Sequence, residues 1–224
     1  MSVHVTLPAG AVRIDPGEVV EYVAVVHNTG RATDHLTFEV VGSPSTWTTV
    51  DPPVLTLDAG ASTAVRLWFR PPKAAHIRAG EAPFGLLAVA HDSRTTGLVE
   101  GLVHVGRFDQ TQAELVPPLL EGRRGTYRLE VQNRGNATVQ VQTRAHEVDD
   151  SIAVRCRPRN LTLHPGGTAS CRVDVRSLDA ENRTEGSTFR VVAEIAGTFP
   201  IATVGTLLPP PARRWWQTPR PDAV

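Results

Sequence analysis

Apolar and polar residues alternate with a period of two along most of the chain. Tyr22, Ala24 and Val26 fall on one side of a segment, and Leu36, Phe38 and Val40 repeat the pattern after it. Leu55 and Leu57 follow, then Val65, Leu67 and Phe69 beyond the turn Asp58-Ala59-Gly60. Such alternation predicts half-buried strands. Asn28 and Gly30 end the first of them and are expected to supply positive φ. The runs Phe84–Val89 and Leu102–Val105 predict two more strands, and no window of a dozen residues keeps a helical stripe. Pro8, Pro16, Pro44, Pro52, Pro53, Pro71 and Pro72 lie between the apolar runs, where a missing amide donor removes no ladder hydrogen bond. The fold class is therefore all-β.

The pattern occurs twice. Gly17, Tyr22, Val26, Asn28, Gly30, Ala32 and Thr33 coincide without a gap with Gly122, Tyr127, Val131, Asn133, Gly135, Ala137 and Thr138. One residue of slippage later, Leu55-Thr56-Leu57 falls on Leu161-Thr162-Leu163, and Val65-Arg66-Leu67 on Cys171-Arg172-Val173. Two copies, 1–107 and 108–208, each have the size of an immunoglobulin-like β-sandwich, and a Pro/Arg/Trp-rich extended tail, 209–224, follows them. Only about residues 106–110 join the copies, without a Gly/Ser-rich spacer, so a fairly fixed tandem is expected.

The 224 residues are 41% hydrophobic and 21% charged, as expected of a globular protein. Lys+Arg and Asp+Glu both number 23, so no overall field favours nucleic acid or an anionic membrane. Lys73 is the single lysine, an arginine bias that fits high-GC coding. The sequence starts without a cationic, apolar leader and has no run of about 18 apolar residues. A cytoplasmic protein, or one at the cytoplasmic face of a membrane assembly, is the resulting expectation.

Asp15-Pro16-Gly17, Tyr22, Asn28-Thr29-Gly30, Trp47, Leu55–Gly60, Pro71-Pro72 and Gly80 with Phe84 resemble the bacterial immunoglobulin-like domains described as NPCBM-associated. The resemblance covers most of 10–105 and, more faintly, 115–207, where Ala153 takes the place of Trp47 and Glu121-Gly122 that of the Pro-Gly. It implies accessory modules that accompany glycosidase domains or sit in tandem arrays of surface and membrane proteins. It specifies fold rather than activity.

Candidate chemistry is sparse. Cys156 and Cys171 align with Val50 and Val65, so both are expected to be reduced core residues; a disulfide between neighbouring strands is the alternative. None of the eight histidines forms an H-x-x-x-H or H-x-H pair, and no metal or other cofactor is expected. Asp34-His35 lacks the G-x-S-x-G elbow that would supply a nucleophile, so no catalytic residue is assigned. Asp149-Asp150-Ser151 lacks further oxygen ligands for calcium and reads as a turn. The sequons at Asn136, Asn160 and Asn182 carry no weight without a secretion signal. Glycan binding needs an exposed flat ring. Tyr22, Tyr127, Trp47, Phe69, Phe84 and Phe189 read as core, which leaves Trp68 as the exposed candidate platform, with Asp174 in its place in the second copy.

The tail places Arg213 and Arg214 beside Trp215 and Trp216 after three prolines, a mixture suited to protein hot spots and lipid headgroups. These four residues are the candidate partner-binding site, and any membrane contact is expected through them alone. The function expected is a non-enzymatic adaptor or structural subunit that presents tandem domains and a C-terminal peptide to a protein partner or larger assembly. An accessory carbohydrate-binding module and the soluble arm of a membrane-anchored protein are the alternatives.

Overall fold

A computed structural model describes residues 3–147, 151–178 and 185–210. They form two units, Met1–Asp109 with Gly135–Ala137, and Gln110–Arg134 with Thr138–Val224. Apart from one short 3-10 helix, the regular structure among the described residues is strand.

The first unit contains β1 (Val3–Thr6), β2 (Val12–Ile14), β3 (Val20–Asn28), β4 (Asp34–Gly42), the 3-10 helix Ser43–Trp47, β5 (Thr48–Asp51), β6 (Val54–Leu57), β7 (Ser62–Phe69), β8 (Gly80–Ala90) and β9 (Thr95–Val105). These pair as a four-stranded sheet, β1-β3-β7-β5, and a five-stranded sheet, β2-β9-β8-β4-β6. The chain changes sheets between β1 and β2, where Pro8 and Gly10 interrupt pairing, and β2 then runs parallel to β9 with Val12 opposite Val103. Every other pair in this unit is antiparallel.

Alternation decides which residues enter the space between the sheets. Ala24, Val26, Val65, Leu67 and Phe69 from one sheet meet Leu36, Phe38, Phe84, Leu86, Ala88 and Val103 from the other. Rings organise the middle of this core: Phe69 and Phe84 lie 5.2 Å apart edge-on, and Trp47 lies 5.9 Å from Phe69. Full burial of each large side chain contributes about 1.5–3 kcal/mol relative to exposure.

The second unit repeats the plan with β10 (Thr111–Val116), β11 (Leu119–Glu121), β12 (Arg124–Asn133), β13 (Val139–Glu147), β14 (Ile152–Arg157), β15 (Asn160–Leu163), β16 (Thr168–Ser177), β17 (Ser187–Ile195) and β18 (Ile201–Leu208). The sheets are β10-β12-β16-β14 and β11-β18-β17-β13-β15, with β11 parallel to β18. Tyr127 and Phe189, 4.9 Å apart, occupy the centre of its core with Leu129, Ile152, Val173 and Val191.

One turn departs from expectation in its mechanism. Neither Asn28 nor Gly30 has positive φ. The buried Asn28 side chain instead donates from Nδ2 to the carbonyls of Ala32 and Leu57, both at 2.9 Å, while its Oδ1 accepts from Gly30 N at 2.8 Å. The left-handed residue is Gly60 (φ 71°), whose N–H donates to Asn28 O. Asn133 and Gly166 repeat the arrangement in the second unit, with Asn133 Nδ2 donating to Leu163 O at 3.1 Å. A buried amide thus ties two loops together where φ > 0 was expected to make a local turn.

Candidate interaction surface

The outward face of the β2-β9-β8-β4-β6 sheet is apolar at its centre. Cross-strand registers place Glu39, Leu87 and Leu98 in one row and Val41, Gly85 and Glu100 in the next. Val89 flanks the first row, and Leu102 lies beyond the second, opposite Pro83. Leu98 is 55% exposed and Val41 38%, and both side chains lean into the space left by Gly85, where a methyl group would meet Leu98 Cδ1 and Val41 Cγ2 at 2.9 Å each. Leu87, Val89 and Leu102 are half-buried beside them. Glu39 and Glu100 edge the patch, with Glu81, His104 and Arg13 along one end.

The second repeat shows that this surface is no requirement of the fold. Matching registers place His146, Arg190, Val192, Glu194, Ala202 and Thr206 where the first repeat has Val41, Gly85, Leu87, Val89, Leu98 and Leu102. There the centre of the face carries charge, with Arg190 at the glycine position and Arg144 paired to Glu194 at 3.2 Å, while Val192, Ala202 and the exposed Val204, which matches Glu100, keep part of it apolar. The same sheet therefore folds with either surface. Strand β8 carried a signal of this in sequence: the run Phe84-Gly85-Leu86-Leu87-Ala88-Val89 does not alternate, as a strand that is apolar on both faces would not.

At the far end of β4, histidines distant in sequence meet. His91 N donates to His35 O at 3.0 Å, which sets the two residues opposite each other. His35 Nδ1 contacts Asp92 Oδ2 at 2.7 Å, and His91 Nε2 contacts Thr37 Oγ1 at 2.9 Å. The hydrogen bond from His35 is the main cause holding the Asp92 carboxyl below its ordinary range. Asp34 is buried, which by itself raises its pKa, yet the Ser93 hydroxyl and the N–H groups of Asp92, Ser93 and His35 together hold it low. This is a turn-capping network around a carboxylate. Among the described residues, no three His, Cys, Asp or Glu are grouped to hold a metal ion.

Trp68 stands on the outer face of the four-stranded sheet, opposite Glu21 and Thr49, and it is half-buried rather than the exposed platform expected. The neighbouring Glu21–Arg66 ion pair, 2.9 Å long, lies on the same face and narrows the room around the ring. Trp47 is buried. Arg213, Arg214, Trp215 and Trp216 lie outside the described residues, as do Asp149, Asp150 and Asn182. Phe199, in the β17–β18 turn, is 92% exposed and went unnoticed in the sequence because a lone Thr-Phe-Pro carries no periodic signal. Cys156 and Cys171 are free thiols, both buried. No helix among the described residues is long and apolar enough to cross a membrane.

No protein-family model and no curated protein matches the chain. Among solved structures it is similar to a protein of unknown function from Porphyromonas gingivalis W83, at 14% identity over 93% of this chain and 100% of that one, with a TM-score of 0.36. It is also similar to the D00-D0 domain of intimin, at 10% identity over 91% and 98%, with a TM-score of 0.39. A chaperone–tip adhesion subunit pre-assembly complex from the archaic chaperone-usher Csu pili of Acinetobacter baumannii matches at 12% identity over 89% and 95%, with a TM-score of 0.34.

Proposed function

We propose that the chain is a non-catalytic adaptor or structural subunit whose first unit docks a protein partner on the outward face of the β2-β9-β8-β4-β6 sheet. The observation that carries this reading is the contrast between repeats. Val41, Gly85, Val89 and Leu102 stand where the second unit sets His146, Arg190, Glu194 and Thr206, while the larger Leu87 and Leu98 replace Val192 and Ala202. Exposed apolar surface that folding does not demand marks an interaction site. Glu39 and Glu100 at its edge favour a partner segment that sets basic residues around apolar anchors.

Arg213, Arg214, Trp215 and Trp216 supply a second contact of the opposite character, a cationic and aromatic peptide offered to an acidic, apolar groove. The resemblance to NPCBM-associated domains agrees with an accessory role beside other proteins. Glycan binding falls behind, because one half-buried ring at Trp68 offers a sugar little area to stack on.

The test is affinity capture from the native host with the full chain, run beside Val41→Glu/Leu98→Glu and Trp215→Ala/Trp216→Ala variants. A protein retained by the parent and lost with the sheet-face variant supports the docking face; loss with the tail variant supports the peptide contact. A partner kept by both variants at unchanged affinity removes both. Sedimentation of the purified chain distinguishes a further outcome: concentration-dependent dimers abolished by Leu98→Glu would make the occupant a second copy.

A further inference from the structure

Three neighbouring core positions differ in kind between the two repeats. Thr143 N donates to Arg159 O at 2.7 Å just as Phe38 N donates to Pro53 O at 3.0 Å. Cys156 faces Val173 as Val50 faces Leu67, and Cys171 faces Leu129 as Val65 faces Ala24. Thr143, Cys156 and Cys171 therefore stand where the first unit has Phe38, Val50 and Val65. A hydrocarbon cluster has become a hydroxyl and two thiols, all three inside the core.

The three groups adjoin one another. Thr143 Oγ1 lies 3.6 Å from Cys171 Sγ with the carbonyls of Pro158 and Arg159 at 3.2 Å on its other side, and the two thiols stand on adjacent strands. The register relates the thiols: Cys156 on β14 faces Val173, and Cys171 is two residues earlier on the same side of β16. Diagonal neighbours lie about 7–8 Å apart, so a link between two short side chains needs the strands to adjust. Strand β14 is at a sheet edge and pairs only with β16, so it can slide along β16 without disturbing a second ladder.

Cys171 is fully enclosed, but Cys156 forms part of the lining of a groove of about 360 Å³ between β13 and β14. The groove exists because β15 pairs with β13 only as far as Gln142, which leaves Thr143 onward without a strand on that side. Among the described residues, Arg144, Arg155, Arg159 and His146 line it and no carboxylate does, with Arg144 also paired to Glu194. Guanidinium groups beside a thiol favour its thiolate.

We propose that Cys156 and Cys171 form an oxidisable dithiol site, reached through this groove, that takes hydrogen peroxide and closes to an intramolecular disulfide. The hydrogen bond from Cys156 holds the Cys171 thiol low, against its burial and with help from Thr143 and the Arg157 N–H; the same bond, with burial, holds Cys156 high. The pair thus loses one proton readily and keeps the other between the two sulfurs. The charge rests mainly on Cys171, and the Cys156 thiolate is the minor form, reached when that proton passes to Cys171; it is the form beside the groove and Arg159.

The Cys156 thiolate then attacks one peroxide oxygen and the O–O bond breaks. Hydroxide leaves and takes a solvent proton, and Cys156 becomes a sulfenic acid, oxidised by two electrons. Cys171 sulfur attacks Cys156 sulfur next; the S–O bond breaks, and the departing hydroxide takes the Cys171 proton. Two thiols and one peroxide give one disulfide and two waters.

The full chain, under native and non-reducing conditions, is treated with hydrogen peroxide, and its peptides are mapped by mass spectrometry beside its global unfolding rate. The expected result is a Cys156–Cys171 link that forms faster than the protein unfolds. In Cys171→Val, a dimedone adduct should accumulate at Cys156; in Cys156→Val, labelling of the enclosed Cys171 should be about tenfold slower or more. Valine fills both equivalent positions in the first unit, so the variants keep the core. A link that forms no faster than unfolding, native thiols that stay unlinked, or equal labelling of the two single thiols would overturn the site.

Discussion

Leu98 lies over Gly85. Together with Val41 it fills the gap that the missing side chain leaves, and the three residues make the raised centre of the apolar face on the first unit. The second repeat puts Arg190 at the glycine position and Ala202 at that of Leu98, so a charged side chain stands there without harm to the sheet. Replacing Leu98 with Glu is therefore expected to change unfolding free energy by only about 0.5 kcal/mol, the usual scale for surface changes. Arg at Gly85 must first displace Leu98 and Val41, and it is expected to cost about 1–3 kcal/mol. Denaturant titration checks this. Partner retention in the capture experiment should fall with either variant.

The two tryptophans of the first unit should respond in opposite ways to truncation. Trp47 is buried against Phe69 and closes the core where the 3-10 helix meets it, so Trp47→Ala is expected to cost about 3–5 kcal/mol. Trp68 is half-buried on the outer face, and Trp68→Ala should cost less than about 1.5 kcal/mol, since much of the ring already meets water. Parallel chemical unfolding of the two variants measures the difference. Equal losses would place Trp68 in the core.

Alternation made the strands and the interior legible, because the inward residues of β3, β4 and β7 follow the period of two, with Trp47 of the 3-10 helix the exception. The repeat located Asn28 and Asn133 as equivalents but not their role: the bonds of Asn28 to Leu57 and Ala32 join segments 29 and 4 residues away, and no local rule encodes the longer one. The pairing of His35 with His91 was hidden for the same reason, since it depends on the β4–β8 register. The apolar face was half legible. Leu86-Leu87 broke alternation within β8, whereas Val41 and Leu98 come from other strands and join it only after the sheet forms. Cysteine matched to valine correctly placed both thiols in the core, and it gave no hint that Thr143, aligned with Phe38, would complete a polar cluster with them.

The Asn28 linkage yields a stability prediction. Removing its side chain leaves the buried Leu57 carbonyl without its donor and frees the Gly30 N–H, so Asn28→Ala is expected to cost about 1–3 kcal/mol. Asn28→Asp should fare no better, because a carboxylate cannot donate to Leu57 O. Differential scanning calorimetry on the full chain checks both. Asn133→Ala should destabilise the second unit by the same mechanism, through the lost bond to Leu163 O.

Asp34 sets an acid limit on the first unit. Its carboxylate accepts from Asp92 N at 2.9 Å and Ser93 N at 3.1 Å, and these bonds exist in full only while it is ionised. The folded pKa is depressed below the unfolded value, so the stabilisation is complete above the ordinary carboxylate pKa of about 3.9 and is lost as pH falls through the folded value. Asp92 is shifted in the same direction by His35, so the wild-type acid limb alone does not isolate Asp34. Comparison with Asp34→Asn does: at neutral pH the variant should be less stable by about 1–3 kcal/mol, having lost charge-assisted bonds to the turn. As pH drops below 4 the gap between the two proteins should close, because the wild type then protonates the group that the variant has already neutralised. Urea unfolding between about pH 7 and pH 3 measures the gap at each point, and a gap that stays constant over that range would show that Asp34 stabilises the turn by shape alone.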